Sequence, residues 1–251
     1  MAIEGSDVRS PGLPVQGLGR VLNITMLGTI EFAKLMQLQR KLVHESSENR
    51  HLARLILCEH PPSISIGRTG SLAQIDAESE IRSLPIHWVN RGGGCMLHAP
   101  GQVMCYAVLA LDFMKLNLAE YLNKFHRAIQ RVIVNVGIPA EIYDNRSGIW
   151  VGDRRIAHLG IAIEDWVACF GVVINVDTDL EPFHAIACDG YSRPMTSIER
   201  EKRGRSYCAT VRQRVIESFT DTFEFERFSL THGHPIFNTR VNLHAVASSF
   251  E

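Results

Sequence analysis

The period of the apolar positions changes several times along this chain, and each change marks an element. Residues 20–27, RVLNITML, alternate like a strand, and the following EFAKLMQLQRKLV puts Phe32, Leu35, Met36, Leu42 and Val43 on one helical face. RLILC (54–58), SISIG (63–67) and IHWVN (86–90) read as short strands, the last running into the glycines of RGGG. VMCYAVLAL (103–111) is too continuous for a half-exposed strand and is expected at the centre of a sheet. From Asn117, the positions Leu118, Leu122, Phe125, Ile129, Val132, Ile133 and Val136 step by three and four until Gly137 and Pro139 close a helix. GIWV (148–151), a Gly152–Asp153 turn, RRIAHLGIAI (154–163) and CFGVVINV (169–176) then read as consecutive antiparallel strands, the first two a hairpin. A last helix near Ser206 to Phe219 carries Val211, Val215, Ile216 and Phe219 on one side.

Strands and helices mixed without regular βαβ alternation predict an α+β domain, a mixed sheet with flanking helices. Its expected span is 19–225, after a flexible leader (1–18) and before a weakly patterned tail (226–251) that is expected to be partly disordered. With 251 residues and 45% hydrophobic content, the chain can bury one substantial core. A net charge of -1 supplies no field for nucleic acid or an anionic membrane, and Val103 to Leu111, the longest apolar run, cannot span a bilayer. No secretory signal is visible, so a soluble, cytoplasmic monomer is expected. Cys58, Cys95, Cys105, Cys169, Cys188 and Cys208 form no C-x-x-C pair, and the histidines show no ligand spacing. Reduced thiols and no metal are therefore expected.

The glycine cluster at 91–94 is followed by CMLHAPGQ rather than by a helix, which rules out a P-loop or dinucleotide fingerprint. It marks a backbone passing close to something, or a bulge at a strand exit. Five blocks taken together are more specific: EHPPSISIGR (59–68), RGGGCMLHAPGQVMCY (91–106), GIWVGDRRIAHLGI (148–161), FGVVINVDTDLEPF (170–183) and MTSIERE (195–201). In order and spacing they resemble the octanoyltransferases of lipoate assembly, the lipoate biosynthesis protein B family.

That resemblance implies a biotin/lipoyl protein ligase-like fold, its sheet curving around an acyl tunnel. It implies transfer of an octanoyl chain from acyl carrier protein to a lysine on lipoyl domains of 2-oxoacid dehydrogenases and on the glycine-cleavage H protein. The route is a cysteine thioester, with a lysine lowering the thiol pKa and no cofactor beyond the delivered acyl group. Carried over by position, the tunnel would be lined by Arg91, Gly92, Gly93, Gly94, Cys95, Met96, Leu97 and His98. His158, Leu159 and Gly160 would complete it with Gly171, Val172 and Val173.

The chain departs from the family pattern at the reacting groups. Arg155 stands where the family has its lysine; it keeps the charge but cannot exchange a proton. Through DLEPFHAIACDGY, ungapped alignment sets Cys188 under a proline and Asp189 under the nucleophile. Either the loop shifts so that Cys188 takes over, or the acyl-enzyme cysteine is gone. Asp189 is a poor substitute, because an acyl anhydride lies uphill from a thioester. Met96 replaces a threonine, Leu97 a tyrosine and Phe170 a histidine. The catalytic candidates are thus Cys188, Arg155 and Asp189. The alternatives are a packed Cys188 thiol and a surface Arg155, in a family member that binds acyl groups or lipoyl domains without transferring anything. A lipoate-protein ligase ranks behind both, for want of the lysine that would polarise an acyl-adenylate. Cys169 reads as a core thiol. The basic run IEREKRGR (198–205) reads as a solvated face or as a docking surface for acidic acyl carrier protein.

Overall fold

The first predicted strand and helix are β1 (Val21–Thr29) and α1 (Phe32–Glu48), and α1 returns the chain to β2 (Ala53–Glu59), parallel to β1. The computed structural model describes residues 20–144, 146–188, 194–204 and 207–237. The leader at 1–18 and the end of the tail, 238–251, therefore lie outside the described residues. α1 buries Phe32, Leu35, Leu38, Gln39, Leu42, Val43 and Ser46, while Met36 is half-buried at the margin of that face.

Next comes a three-stranded sheet of β3 (Ser63–Ile66), β4 (Ile86–Trp88) and β5 (Cys95–His98), in the order β4-β3-β5. β4 pairs with β3 alone, which leaves Trp88 63% exposed at its edge. β6 (Gln102–Ala110) buries all nine of its residues, as its unbroken apolar run requires. α2 (Leu118–Asn135) starts at a capping box, the Asn117 side chain accepting from the Glu120 N–H and the Glu120 carboxylate from the Asn117 N–H. The sequence pattern placed Leu118 on the apolar face, but it lies in that solvated first turn and is 47% exposed.

The consecutive antiparallel strands are β7 (Glu141–Tyr143), absent from the sequence reading, β8 (Arg146–Val151), β9 (Arg154–Glu164) and β10 (Val167–Asn175). A short helix α3 (Ile198–Lys202), within the basic run, precedes α4 (Cys208–Thr222). β11 (Arg227–His232) then pairs in parallel with β1, giving a mixed eight-stranded order β11-β1-β2-β6-β10-β9-β8-β7.

One core cluster lies between this sheet and the pair α2 and α4, with Phe125, Phe219 and Phe223 fully buried in it. Phe219 stacks on Phe223 at 4.4 Å and meets Phe125 edge-on at 5.5 Å. A second cluster joins α1 to the opposite face of β6 and β10, and a third sits under the small sheet with Phe183, Ile186 and Cys188.

Two local devices shape the sheet beside that third cluster. Ile149 pairs with Ala157 but Trp150 with Arg155, so β9 carries one extra residue, a β-bulge, at Ile156. Strict alternation would put Arg155 and His158 on opposite faces; one inserted residue restores them to the same side. The second device is a cross-strand pair of glycines, Gly160 on β9 opposite Gly171 on β10. A Cβ at Gly160 would sit 3.0 Å from both Arg91 Cδ and Gly92 O, so the missing side chain is what admits the 91–94 loop.

Candidate active site

The glycine loop between β4 and β5 is held by Arg91, only 3% exposed. Its Nη2 donates to Ser65 O (3.0 Å) and Ser65 Oγ (2.9 Å), and its Nη1 to Gly92 O (3.0 Å). Burying a guanidinium is costly unless its N–H groups are bonded, which fixes the loop against β3. The Gly92 N–H donates to Ile161 O at 2.8 Å and ties the loop to β9.

Ser65 Oγ also lies 2.8 Å from Nε2 of His98, whose Nδ1 has no hydrogen-bond partner among the described residues. Burial, then the neighbouring His60 and Arg91, pushes His98 well below the usual imidazole range, so it is neutral. His60 behaves alike: Nδ1 lies 2.6 Å from Ile30 O, which only an N–H can satisfy, so Nε2 is left to accept from the Tyr106 hydroxyl at 2.9 Å. Burial lowers His60 to about 4. Phe32 packs against both rings, at 5.3 Å from His60 and 4.8 Å from His98.

Two small buried cavities adjoin here. One, of about 10 Å³, is lined by Met96, Leu97, Arg155, His158, Val173 and Cys188, with Gln102 and Asn175 at its wall. The other, also about 10 Å³, is lined by Phe32, Arg91, Met96, His98 and Tyr106 with Gly160, Phe170, Gly171, Val172 and Val173. Each has room for no more than about one water. Met96 and Val173 line both, so these two side chains are the partition between them.

The carried-over residues thus divide by position. Cys188, Arg155, His158, Leu97, Met96 and Val173 meet in the first cavity, and Arg91, His98, Gly160, Gly171 and Val172 in the second. Gly92, Gly93 and Leu159 instead border a separate open groove of about 810 Å³ between β9 and α2, reached also by Gly160. Gly94 and Cys95 line none of the three; Cys95 turns into the third core cluster, where its backbone bridges that of Cys188. Asp189 lies outside the described residues.

Arg155 is not a surface arginine of the hairpin. It is 2% exposed, its guanidinium lies 4.8 Å over the Trp150 ring, and its backbone pairs with Met195. The cysteines separate by environment. Burial raises Cys58 and Cys105, and pushes Cys169 and Cys208 up to about 12, so these four are inert neutral thiols near neutrality. Cys188 is also buried, yet it shares its cavity with a guanidinium. Among the described residues, no three His, Cys, Asp or Glu side chains are grouped to hold a metal, and no helix is long and apolar enough to cross a membrane.

The sequence reading did not single out Ser65, His60, Tyr106, Gln102 or Asn175. Gln102 Nε2 donates to Asn175 Oδ1 (2.9 Å), and Asn175 Nδ2 to Thr196 O (3.1 Å), binding β6, β10 and the chain before α3 around the first cavity. The blocks EHPP, PGQ and INVDTDL held the signal, but only as a pattern of recurrence.

The model of the lipoyl protein ligase A/B catalytic domain family matches residues 31–220. An octanoyltransferase of Solibacter usitatus is 32% identical over 206 residues, 81% of this chain and 93% of its own length. The chain belongs to the octanoyltransferase family. A second octanoyltransferase, from Geotalea uraniireducens, is 33% identical over 207 residues, 80% of this chain and 94% of the relative. Among solved structures, the bi-partite lipoate protein ligase of Thermoplasma acidophilum superposes with a TM-score of 0.64 at 16% identity, over 86% of this chain and 88% of that one. At that identity the likeness is one of fold, and it agrees with the mixed sheet and flanking helices expected of a biotin/lipoyl ligase-like domain.

Proposed function

We propose that this octanoyltransferase-family chain moves an octanoyl group from acyl carrier protein to a lysine of lipoyl domains, by way of a thioester on Cys188. Acyl transfer as the reaction class follows from family membership. The observation that supports the finer reading is the shared cavity of Cys188 and Arg155, which adjoins the one floored by the glycine pair of β9 and β10. The guanidinium would stabilise the Cys188 thiolate by charge; the thiolate attacks the donor thioester, and the acceptor amine then attacks the thioester so formed. Phe32, Met96, Phe170 and Val173 would offer apolar surface to the acyl chain once these side chains part, since the cavity of about 10 Å³ is too small for it as it stands. Acyl carrier protein, being acidic, would dock by way of Arg200 and Arg203, which line an open groove of about 640 Å³ beside α3 together with Asp179 and Glu199.

A second reading, a family member that holds acyl groups or lipoyl domains without transfer, is favoured by one observation: Arg155 occupies the lysine position and cannot exchange a proton. One experiment separates the two. The protein is incubated with octanoyl-acyl carrier protein and its intact mass recorded. A covalent octanoyl adduct on the wild type that is absent from Cys188→Ala supports transfer; no adduct, under conditions where another octanoyltransferase reacts, refutes it.

A further inference from the structure

Transfer through Cys188 requires two proton losses and two proton gains that Arg155 cannot serve. The thiol must lose its proton before its sulfur forms a bond to the acyl carbon, and the departing donor thiolate must gain one as its C–S bond breaks. The acceptor amine must then shed a proton as its C–N bond forms, and the Cys188 sulfur must regain one as its own C–S bond breaks. A guanidinium stays protonated throughout. We propose that His158 is the group that takes and returns these protons, an inference that rests on the thioester route through Cys188.

Position and elimination carry the assignment. The bulge at Ile156 brings His158 to the same cavity as Arg155 and Cys188. The cavity's remaining lining is aliphatic, aromatic or thioether, apart from the amides of Gln102 and Asn175, which are engaged with one another. Among the described lining residues, His158 therefore carries the one imidazole, the side-chain type best suited to exchanging protons with a thiol. The charged and titratable groups placed near it among the described residues include Arg155 and Cys188 in the same cavity and His98 on β5. His98 lines the adjoining cavity and is held by Ser65, so it is placed toward the acyl chain rather than the sulfur.

The test is the rate of octanoyl-adduct formation on the whole protein between about pH 5 and 9, followed by mass. In His158→Gln the rate falls by about 10²- to 10⁴-fold, the usual worth of general acid–base catalysis, and loses the limb that titrates with an imidazole. In His158→Ala, added imidazole restores loading, which no unfolded variant could show. Wild-type rate and pH profile in His158→Gln would overturn the proposal, as would loss of loading without rescue in a folded His158→Ala. A wild type that forms no adduct at any pH instead overturns the thioester reading, and the role of His158 with it.

Discussion

Gly171→Ala is the substitution that the sheet should tolerate least. Gly171 stands opposite Tyr106 of β6 on one side and Gly160 of β9 on the other. A Cβ there would overlap the Cys105 carbonyl oxygen outright, and would lie 3.0 Å from the Cys105 carbonyl carbon and 3.1 Å from Tyr106 Cα. All three are backbone atoms of a strand with nine buried residues, so no rotamer change relieves the clash. Overpacking of this kind costs about 1–3 kcal/mol, and drawing β10 from β6 weakens about two ladder hydrogen bonds worth about 1 kcal/mol each. The sum, about 3–5 kcal/mol, is a large part of the about 5–15 kcal/mol that holds a domain folded. For a chain of this length it corresponds to a fall in Tm of roughly 6–20 °C. Urea denaturation followed by circular dichroism measures it, with Gly92→Ala as the control. There an added Cβ meets only ordinary neighbours, Ile161 O at 3.6 Å and the Arg68 side chain at 3.7 Å, so the shift should stay within about 0.5 kcal/mol. A Gly171→Ala protein whose urea midpoint matches the wild type would refute the close-approach argument, and with it the glycine floor of the cavity.

Met96→Ala removes one of the two side chains that divide the cavities; decanoyl loading should rise relative to octanoyl at a cost of about 2–5 kcal/mol in stability, and an unchanged chain-length ratio by mass would show that Met96 is no partition. Phe219→Ala empties the contact with Phe125 and Phe223 and should cost about 3–5 kcal/mol in urea unfolding; a loss under about 1 kcal/mol would mean that α4 contributes little to this core. His60 gives a pH dependence. Folded His60 titrates at about 4 against 6.5 unfolded, so stability is flat above about pH 6.5, falls by up to about 3 kcal/mol as pH drops toward 4, and levels off below. Urea midpoints across that window should fall less steeply in His60→Gln, and equal slopes would exclude the linkage.

How much of this was legible depends on whether the signal was periodic. The unbroken run of β6 and the three-and-four stepping of α2 announce burial directly, because each apolar residue there repeats what its neighbours require. β7 is three residues long, and β11 is exposed along its whole length, so neither carries a pattern strong enough to read. The site is harder for a different reason. Its geometry depends on a break in periodicity: the extra residue at Ile156 that turns Arg155 and His158 to one side of β9. Strict alternation would have separated those two side chains, and no residue in RRIAHLG marks where the ladder slips, since Ile156 itself is packed in the main core. Likewise the sequence shows Cys188 beside a misaligned Asp189 but not the cavity that joins Cys188 to an arginine 33 positions earlier. Arg155 where the family resemblance implies a lysine, read alone, suggests lost chemistry. With His158 in the same cavity, the charge and the proton transfer that one lysine could combine are open to two side chains three residues apart on one bulged strand.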